Sequence, residues 1–283
     1  MKIFLLLILN IALFANLSEN VHSSASVYAE GKDYTNSKQK DNGAVYGFGA
    51  DIHHNNAEYK FAYEFGGANT KAPLKKDLKF QKLFLRYAYS FQNDVTLHLN
   101  YISVLNDNIA LTDGGNIYGV GLAYAFDKKN NLDITQYYSN YKDFDTYQTD
   151  LEFNHKMRFK EFKIKLTGML KYINISQSTQ NKFSKYAKDY YLTPGFRAHI
   201  HYNSYHLGFG AFFSKRSFAI MNEGFKLQHH AMEFDRTYAI GLGKTFSDFI
   251  VRAQYIYLRA TELPIQNKNV DINNLRIILN YNF

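Results

Sequence analysis

Apolar and polar residues alternate along most of this chain with a period of two. That is the spacing of a β-strand showing one face to each side of its sheet. The last ten residues display it plainly. Leu275, Ile277, Leu279, Tyr281 and Phe283 share one face, while Arg276, Ile278, Asn280 and Asn282 share the other. Upstream the pattern recurs in pairs joined by very short polar turns. Tyr46, Phe48, Ala50 and Ile52 return after Asn55-Asn56 as Ala57, Tyr59, Phe61, Tyr63 and Phe65. Leu83 to Phe91 and Val95 to Tyr101 flank Gln92-Asn93-Asp94, and Tyr118 to Phe126 turns through 128–131 into Leu132 and Ile134. Further pairs turn at Lys160-Glu161, at Asn203-Ser204 and at Ser247-Asp248. A weak first strand over about 24–33, followed by a polar loop over 34–42, takes the terminal strand as its partner. The count is fourteen strands, or twelve if one weak pair is left out.

Strands of about nine or more residues are long enough to cross a bilayer at a tilt. An even count, with short turns alternating with longer loops, predicts an all-β fold: a transmembrane antiparallel up-and-down β-barrel. Closure removes the strand edges that lipid cannot satisfy. Phe91, Phe126, Phe159, Phe162, Tyr202, Tyr205, Phe246 and Phe249 sit beside the short turns, as an interface girdle would. A soluble barrel turns its apolar face inward and seldom places so many aromatic residues in register. No linker or low-complexity stretch interrupts the pattern, so 16–283 reads as one domain.

Composition adds four constraints. Met1-Lys2 followed by the apolar run Ile3 to Phe14 reads as a signal peptide over 1–15, with cleavage at or a few residues beyond Ala15. No later segment approaches the ~18 uninterrupted apolar residues of a spanning helix. Cysteine is absent, which removes disulfides and thiolate metal sites. The formal charge is +8, but Lys and Arg are spread through the strands rather than gathered in a tail, and export argues against nucleic acid as a partner.

A chain with this repeated pattern and an aromatic final residue on its last strand resembles the bacterial outer-membrane β-barrel proteins. The resemblance implies that Leu279, Tyr281 and Phe283 form the signal read by the barrel-insertion machinery. It implies a place in the Gram-negative outer membrane, in contact with its lipid and lipopolysaccharide. By size and strand count the chain looks like the small monomeric fourteen-stranded channels. It is shorter than the sixteen- or eighteen-stranded trimeric porins, and it lacks the long third loop that narrows those. Fatty-acid-type transporters carry an N-terminal plug of some forty residues, for which this chain leaves no room.

Function is then expected on the inward face. In the hairpin around Lys160-Glu161 the inward residues include Asp150, Glu152, Lys156, Arg158, Lys163, Lys165 and Lys171. The two-residue turn sets Arg158 opposite Lys163 and Lys156 opposite Lys165, with Asp150 and Glu152 beside Lys171. Like charges across a ladder repel and in a dry interior are prohibitive, which predicts a water-filled lumen. With Lys60, Arg86, Arg197, Arg252 and Arg276 the inward cations number ten. The inward acids number six: Asp51, Glu58, Glu64, Asp133, Asp150 and Glu152. The excess predicts a mild anion preference. Inward glycines recur beside outward aromatics at 47/49, 119/121, 208/210 and 241/243, where they allow bending and leave bore.

His199, His201 and His206 also face inward, with His201 opposite His206. They read first as solvated lumen residues, then as a pH-sensitive cluster, and last as a metal site. No cofactor is implied. Among barrel enzymes, the surface proteases carry an Asp-x-His element. Asp51-Ile52-His53 matches it, but at the wrong end of the barrel. The outer-membrane phospholipases carry His-x-Ser; His22-Ser23-Ser24 matches only before the first strand. Loop residues around His229-His230 and Glu233-Phe-Asp235 leave room for a hydrolytic triad without marking one. The loops 176–186 and 222–235 are the candidates for surface recognition. The expected function is therefore a non-enzymatic porin passing ions and small hydrophilic solutes, with a surface adhesin or structural role as the alternative and a hydrolase behind it.

Overall fold

A computed structural model describes residues 21–72, 74–106, 111–176 and 187–283. The signal-peptide reading of 1–15 and nearly all of the 176–186 connection lie outside the described residues. The wall strands on the N-terminal side are β1 (Val21–Thr35), β2 (Lys40–His54), β3 (Ala57–Thr70), β4 (Leu78–Ser90), β5 (Val95–Asn106), β6 (Asn116–Ala125) and β7 (Asn130–Asn140). They continue as β8 (Asp145–Phe159), β9 (Phe162–Ile175), β10 (Tyr190–Tyr202) and β11 (Tyr205–Phe212). Two short strands, β12 (Ile220–Met221) and β13 (Lys226–Leu227), pair only with each other. β14 (Met232–Phe246), β15 (Phe249–Glu262) and β16 (Asn267–Asn282) complete the wall. Fourteen strands form a closed antiparallel barrel, sealed where β1 pairs with β16 in the register Val27↔Leu279 and Glu30↔Arg276.

The two faces of each strand behave as the alternation predicts, and in the sense opposite to a soluble protein. Leu122, Leu242 and Leu275 are 55%, 60% and 58% exposed on the outside, whereas Gln148 and Lys171 on the inside are 1% exposed each. An apolar outer surface on a closed barrel is stable only in lipid. Aromatic pairs beside the short turns, such as Phe249–Tyr281 and Phe162–Tyr202 with ring centroids 4.7 and 4.8 Å apart, mark one rim of that surface.

The two-residue turns all lie at one end. Asn55, Lys160, Asn203 and Ser247 adopt φ of 53°, 52°, 51° and 50°, the left-handed start that lets a two-residue hairpin follow strand twist. Two turns differ from expectation. The hairpin after β6 turns at 126–129, because the Asp127 carboxylate accepts the Lys129 and Asn130 amides at 2.6 and 2.8 Å and fixes the bend early. The expected polar loop over 34–42 shrinks to 36–39. Tyr34 packs inward with Met232, Phe234, Leu258 and Ile272 and prolongs β1. Buried Glu262 accepts the Ser37 hydroxyl at 2.5 Å and the Lys38 amide at 3.0 Å, holding the tight turn.

β11 is the shortest wall strand. Beyond Phe212 the chain leaves the wall, with Ser214 and Phe218 at φ of 71° and 54°, and runs through the lumen before rejoining the wall at β14. Its residues Phe218, Ala219, Ile220, Met221 and Leu227 pack with inward Phe84, Ile102, Ile117, Tyr137 and Ile173 in one buried cluster. The loop end of the barrel thus has a core, and the short-turn end does not.

The outward face sets a test. Val120, 50% exposed near the middle of β6, faces the lipid if the barrel spans a bilayer. Val120→Arg is expected to lower stability in phospholipid vesicles by about 2–4 kcal/mol, measured by urea titration. The inward-facing change Gly121→Ala should not reproduce that lipid dependence.

Candidate functional site

The segment 213–231 decides what the lumen can do. It leaves β11 with the Phe213 amide on Pro194 O at 2.9 Å. Arg216, fully buried, then exchanges backbone hydrogen bonds with Phe234, and its guanidinium reaches Gln228 Oε1 at 3.1 Å and Thr237 Oγ1. Phe212 and Phe234 place their rings 5.3 and 5.7 Å from the same guanidinium. Without a carboxylate in contact, the cation is held by dipoles and ring faces.

Further in, the Gln148 side chain donates to Ile220 O at 2.7 Å and accepts from Ile220 N at 2.8 Å, acting as a strand partner from the wall. The tip is Asn222–Gly224. Glu223 there accepts Arg86 Nη1 at 2.7 Å and Arg197 Nη2 at 3.5 Å. Arg86 belongs to β4 and Arg197 to β10, six strands apart around a ring of fourteen, so one carboxylate bridges nearly opposite walls. The return limb places Lys226 near Glu30 at 3.8 Å, His229 against Phe80, and His230 Nδ1 on Lys40 Nζ at 3.1 Å. The loop end of the lumen is filled.

The structure divides the charges singled out from sequence into two groups. In the first, each cation has an acid. Lys171 pairs with Asp150 across β9 and β8. Arg197 pairs with Glu152 at 2.9 Å and Arg86 with Glu223, while Arg276 pairs with Glu30. Lys60 pairs with Glu58 at 2.9 Å, so these five are not free pore charges. Glu30 and Glu223 are the acids that sequence reasoning missed. Glu30 lay on the weakest predicted strand, and Glu223 in a connection read as a surface loop. That reading of 222–235 is corrected: the segment through Ala231 is inside, because its apolar residues complete the buried cluster at the loop end.

In the second group, Lys156, Arg158, Lys163, Lys165 and Arg252 have no carboxylate within ion-pair distance among the described residues. The predicted pairs Arg158↔Lys163 and Lys156↔Lys165 are in register, with Lys156, Arg158 and Lys163 exposed at the short-turn end. His201 lies opposite His206 as expected, their Nδ1 atoms 2.7 Å apart, and His206 Nε2 meets Thr245 Oγ1 at 2.6 Å. With His199, Arg252 and Gln254 they border a cavity of about 120 Å³, roofless because Gly208, Gly241 and Gly243 carry no side chain into it. No grouping of three or more metal-ligating side chains occurs among the described residues. Of the residues near 229–235, His229 is buried against a phenylalanine, and Glu233 is taken by Lys215 and by Tyr191 at 3.0 Å. Leu279, Tyr281 and Phe283 stand on the outer face beside β1 and β15, with Tyr281 and Phe283 rings 4.9 Å apart.

No protein-family profile and no curated protein matches the sequence. Solved structures do match in fold. The Ralstonia pickettii toluene transporter TbuX aligns with a TM-score of 0.55 and 10% identity, covering 95% of this chain and 90% of that one. A bacterial polysaccharide outer membrane secretin gives 0.54 and 10%, covering 92% and 98%. The Acinetobacter baumannii outer membrane protein Omp33 gives 0.52 and 6%, covering 94% and 100%. At such identity the likeness is one of fold. The chain is an outer-membrane-type β-barrel.

Protonation bears on the inward segment. Burial would raise the Glu223 carboxyl, but Arg86 and Arg197 bring it down to about 2. A depressed carboxyl holds its contribution above the ordinary value of 4.5 and loses it only as pH falls toward 2, so this contact survives mild acid. His229 and His230 behave differently. Burial first, then Lys82, Lys32 and Lys40 for His229, keep its imidazole well below 6.5, and burial with Lys40 does the same for His230. A histidine that stays neutral only when packed favours the inward position fully above its ordinary 6.5 and progressively less below it.

Two outcomes follow from this geometry. Gln148→Leu leaves Ile220 N–H and C=O unpaired at about 1–3 kcal/mol each. The Ile220 amide should then exchange hydrogen at least tenfold faster while the amides of β8 keep their protection. Lowering pH from 7.5 to 5 should weaken the inward position through His229, with less from His230, which is more exposed. Exchange across 218–228 is expected to rise accordingly, and equally in a His201→Ala/His206→Ala variant. Loss of the response in that variant would assign it to the other cluster.

Proposed function

We propose that this protein is an outer-membrane channel for ions and small hydrophilic solutes, with an anion-leaning lumen whose loop end is closed by 213–231 in this conformation. One observation carries the reading. The inside of the short-turn half keeps five cations without acidic partners, while its inward acids Glu58 and Asp133 are engaged by Lys60 and His98. Two of those cations face two others directly across a ladder, an arrangement that only water and counter-ions stabilise. A barrel with a purely structural interior would pair or fill such positions, as this one does at its loop end.

Passage then has two requirements. The unpaired cations concentrate anions at the open mouth, as rings of charge do in pores. The segment 213–231 must also move, since its tip bridges opposite walls. A pore of this kind needs no enzyme chemistry and no cofactor. The adhesin alternative gains nothing from 222–231, which points inward, and the hydrolase alternative gains no triad. An outer-membrane location and partnership with the insertion machinery, through Leu279, Tyr281 and Phe283, belong to the same proposal. So does a monomeric state.

The test is single-channel recording from the refolded barrel in a planar bilayer under a salt gradient. Wild type should show a mostly closed state with rare openings, and deletion of 218–228 should convert it to sustained open steps. Neutralising Lys156, Arg158, Lys163 and Lys165 to Gln in that deletion background should move the reversal potential toward cations. A folded, heat-modifiable deletion variant that passes no current would overturn the channel reading and return attention to a structural or adhesive role.

A further inference from the structure

The tip of the inward segment is conformationally costly. Asn222, Glu223 and Gly224 are all left-handed, with φ of 52°, 56° and 96°, a region that Gly and Asn tolerate and the Glu223 side chain disfavours. Besides the packing of Met221 and Phe225, what holds the tip there is one carboxylate on two guanidiniums, the second of which, Arg197, also holds Glu152 at 2.9 Å. The tip carboxylate uses them poorly. Glu223 offers one oxygen to Arg86 at 2.7 Å and the other to Arg197 at 3.5 Å, contacting each guanidinium through a single nitrogen. The Nε of both arginines is buried and meets no protein acceptor. A planar guanidinium binds a carboxylate best through two parallel N–H groups, a geometry the tethered side chain reaches at neither arginine. Asn100, whose side-chain oxygen approaches Gly224, is also buried with its amide oxygen and nitrogen unpartnered.

The unpaired cations lead to the same place. Lys163 and Lys165 lie on β9 beside His201 and His199 of β10, and Arg197 is the next inward residue of β10. An anion entering from the short-turn mouth is drawn along this row and meets Arg197 last.

We propose that Arg86 and Arg197 form a recognition site for the carboxylate of a small organic acid, and that Glu223 occupies this site as an internal stand-in. The inference rests on the channel reading and names its solute class. A solute carboxylate takes the arginines with fuller geometry, Asn100 takes a hydroxyl or carbonyl of the same molecule, and Glu223 is released. The strained tip then relaxes and the segment loses its hold on the far wall. The solute therefore opens the path it uses.

Competition with a tethered group lowers apparent affinity by the fraction of time the site is free. The full chain, refolded in detergent, would be assayed by equilibrium dialysis with radiolabelled lactate, and with glycerol as the uncharged control. Glu223→Ala is expected to bind lactate at least tenfold more tightly than wild type, with glycerol unchanged, and Glu223→Ala/Arg86→Gln to lose that gain. In wild type, lactate should speed hydrogen exchange over 218–228. If Glu223→Ala does not refold, Glu223→Gln removes the charge at nearly constant volume and carries the same expectation. Equal lactate affinity in wild type and the Glu223 variant overturns the proposal, as does a gain that survives Arg86→Gln. Current through the deletion variant without any gain in binding overturns this site alone. Binding with the predicted gain but no current overturns the channel reading alone.

Discussion

The constraint behind every other feature is that main-chain N–H and C=O groups facing hydrocarbon must pair with a neighbouring strand. The β1–β16 ladder, joining residues more than two hundred positions apart, is where that requirement is met for the whole sheet. Because it closes, all outward side chains can be apolar, and the inward face becomes the only place for polar chemistry. The one early departure from the wall, after β11, obeys the same rule. Phe213 donates to Pro194, Arg216 pairs both ways with Phe234, and the groups that then enter the lumen find partners such as Gln148. The chain can turn inward at this end because the lumen side supplies hydrogen bonds that lipid does not.

The interior is consequently two environments in series. At the loop end the inward segment and the wall make a core in which some ion pairs, such as Lys171 with Asp150 and Lys82 with Glu64, have been taken out of water. Such pairs contribute little net stability, since desolvation offsets the attraction, but removing one partner leaves a buried charge. They fix position more than they add stability, and the part-exposed Glu223 carboxylate likewise places the tip between opposite walls. At the short-turn end the same strands carry cations with no partner and glycines with no side chain. Water has to complete that half.

This division links structure to the proposed role. A barrel filled throughout would be an anchor, and one open throughout an unselective hole. Here an attractive, wet mouth leads to a closure that combines a buried apolar cluster with a strained turn, a few polar contacts and histidines that stay neutral only while packed.

Period-two alternation and turn chemistry, both local, determined much of this in advance. They specified the strands, the end at which the short turns lie, and which residues face lipid. They also specified the cross-strand pairs within a hairpin: Arg158 with Lys163, Lys156 with Lys165, His201 with His206 and Asp150 with Lys171 all follow from turn length. The contacts that decide whether the lumen is open are of another kind. Glu30 with Arg276 and Glu223 with Arg86 join residues 246 and 137 positions apart. The first depends on the sheet closing, the second on one connection turning inward. Nothing in the alternation marks 213–231 as different from a surface loop, because its apolar residues have no period and their partners lie on strands distant in sequence. Only the closed barrel, by bringing opposite walls to within reach of a single side chain, gave that segment a place to bind.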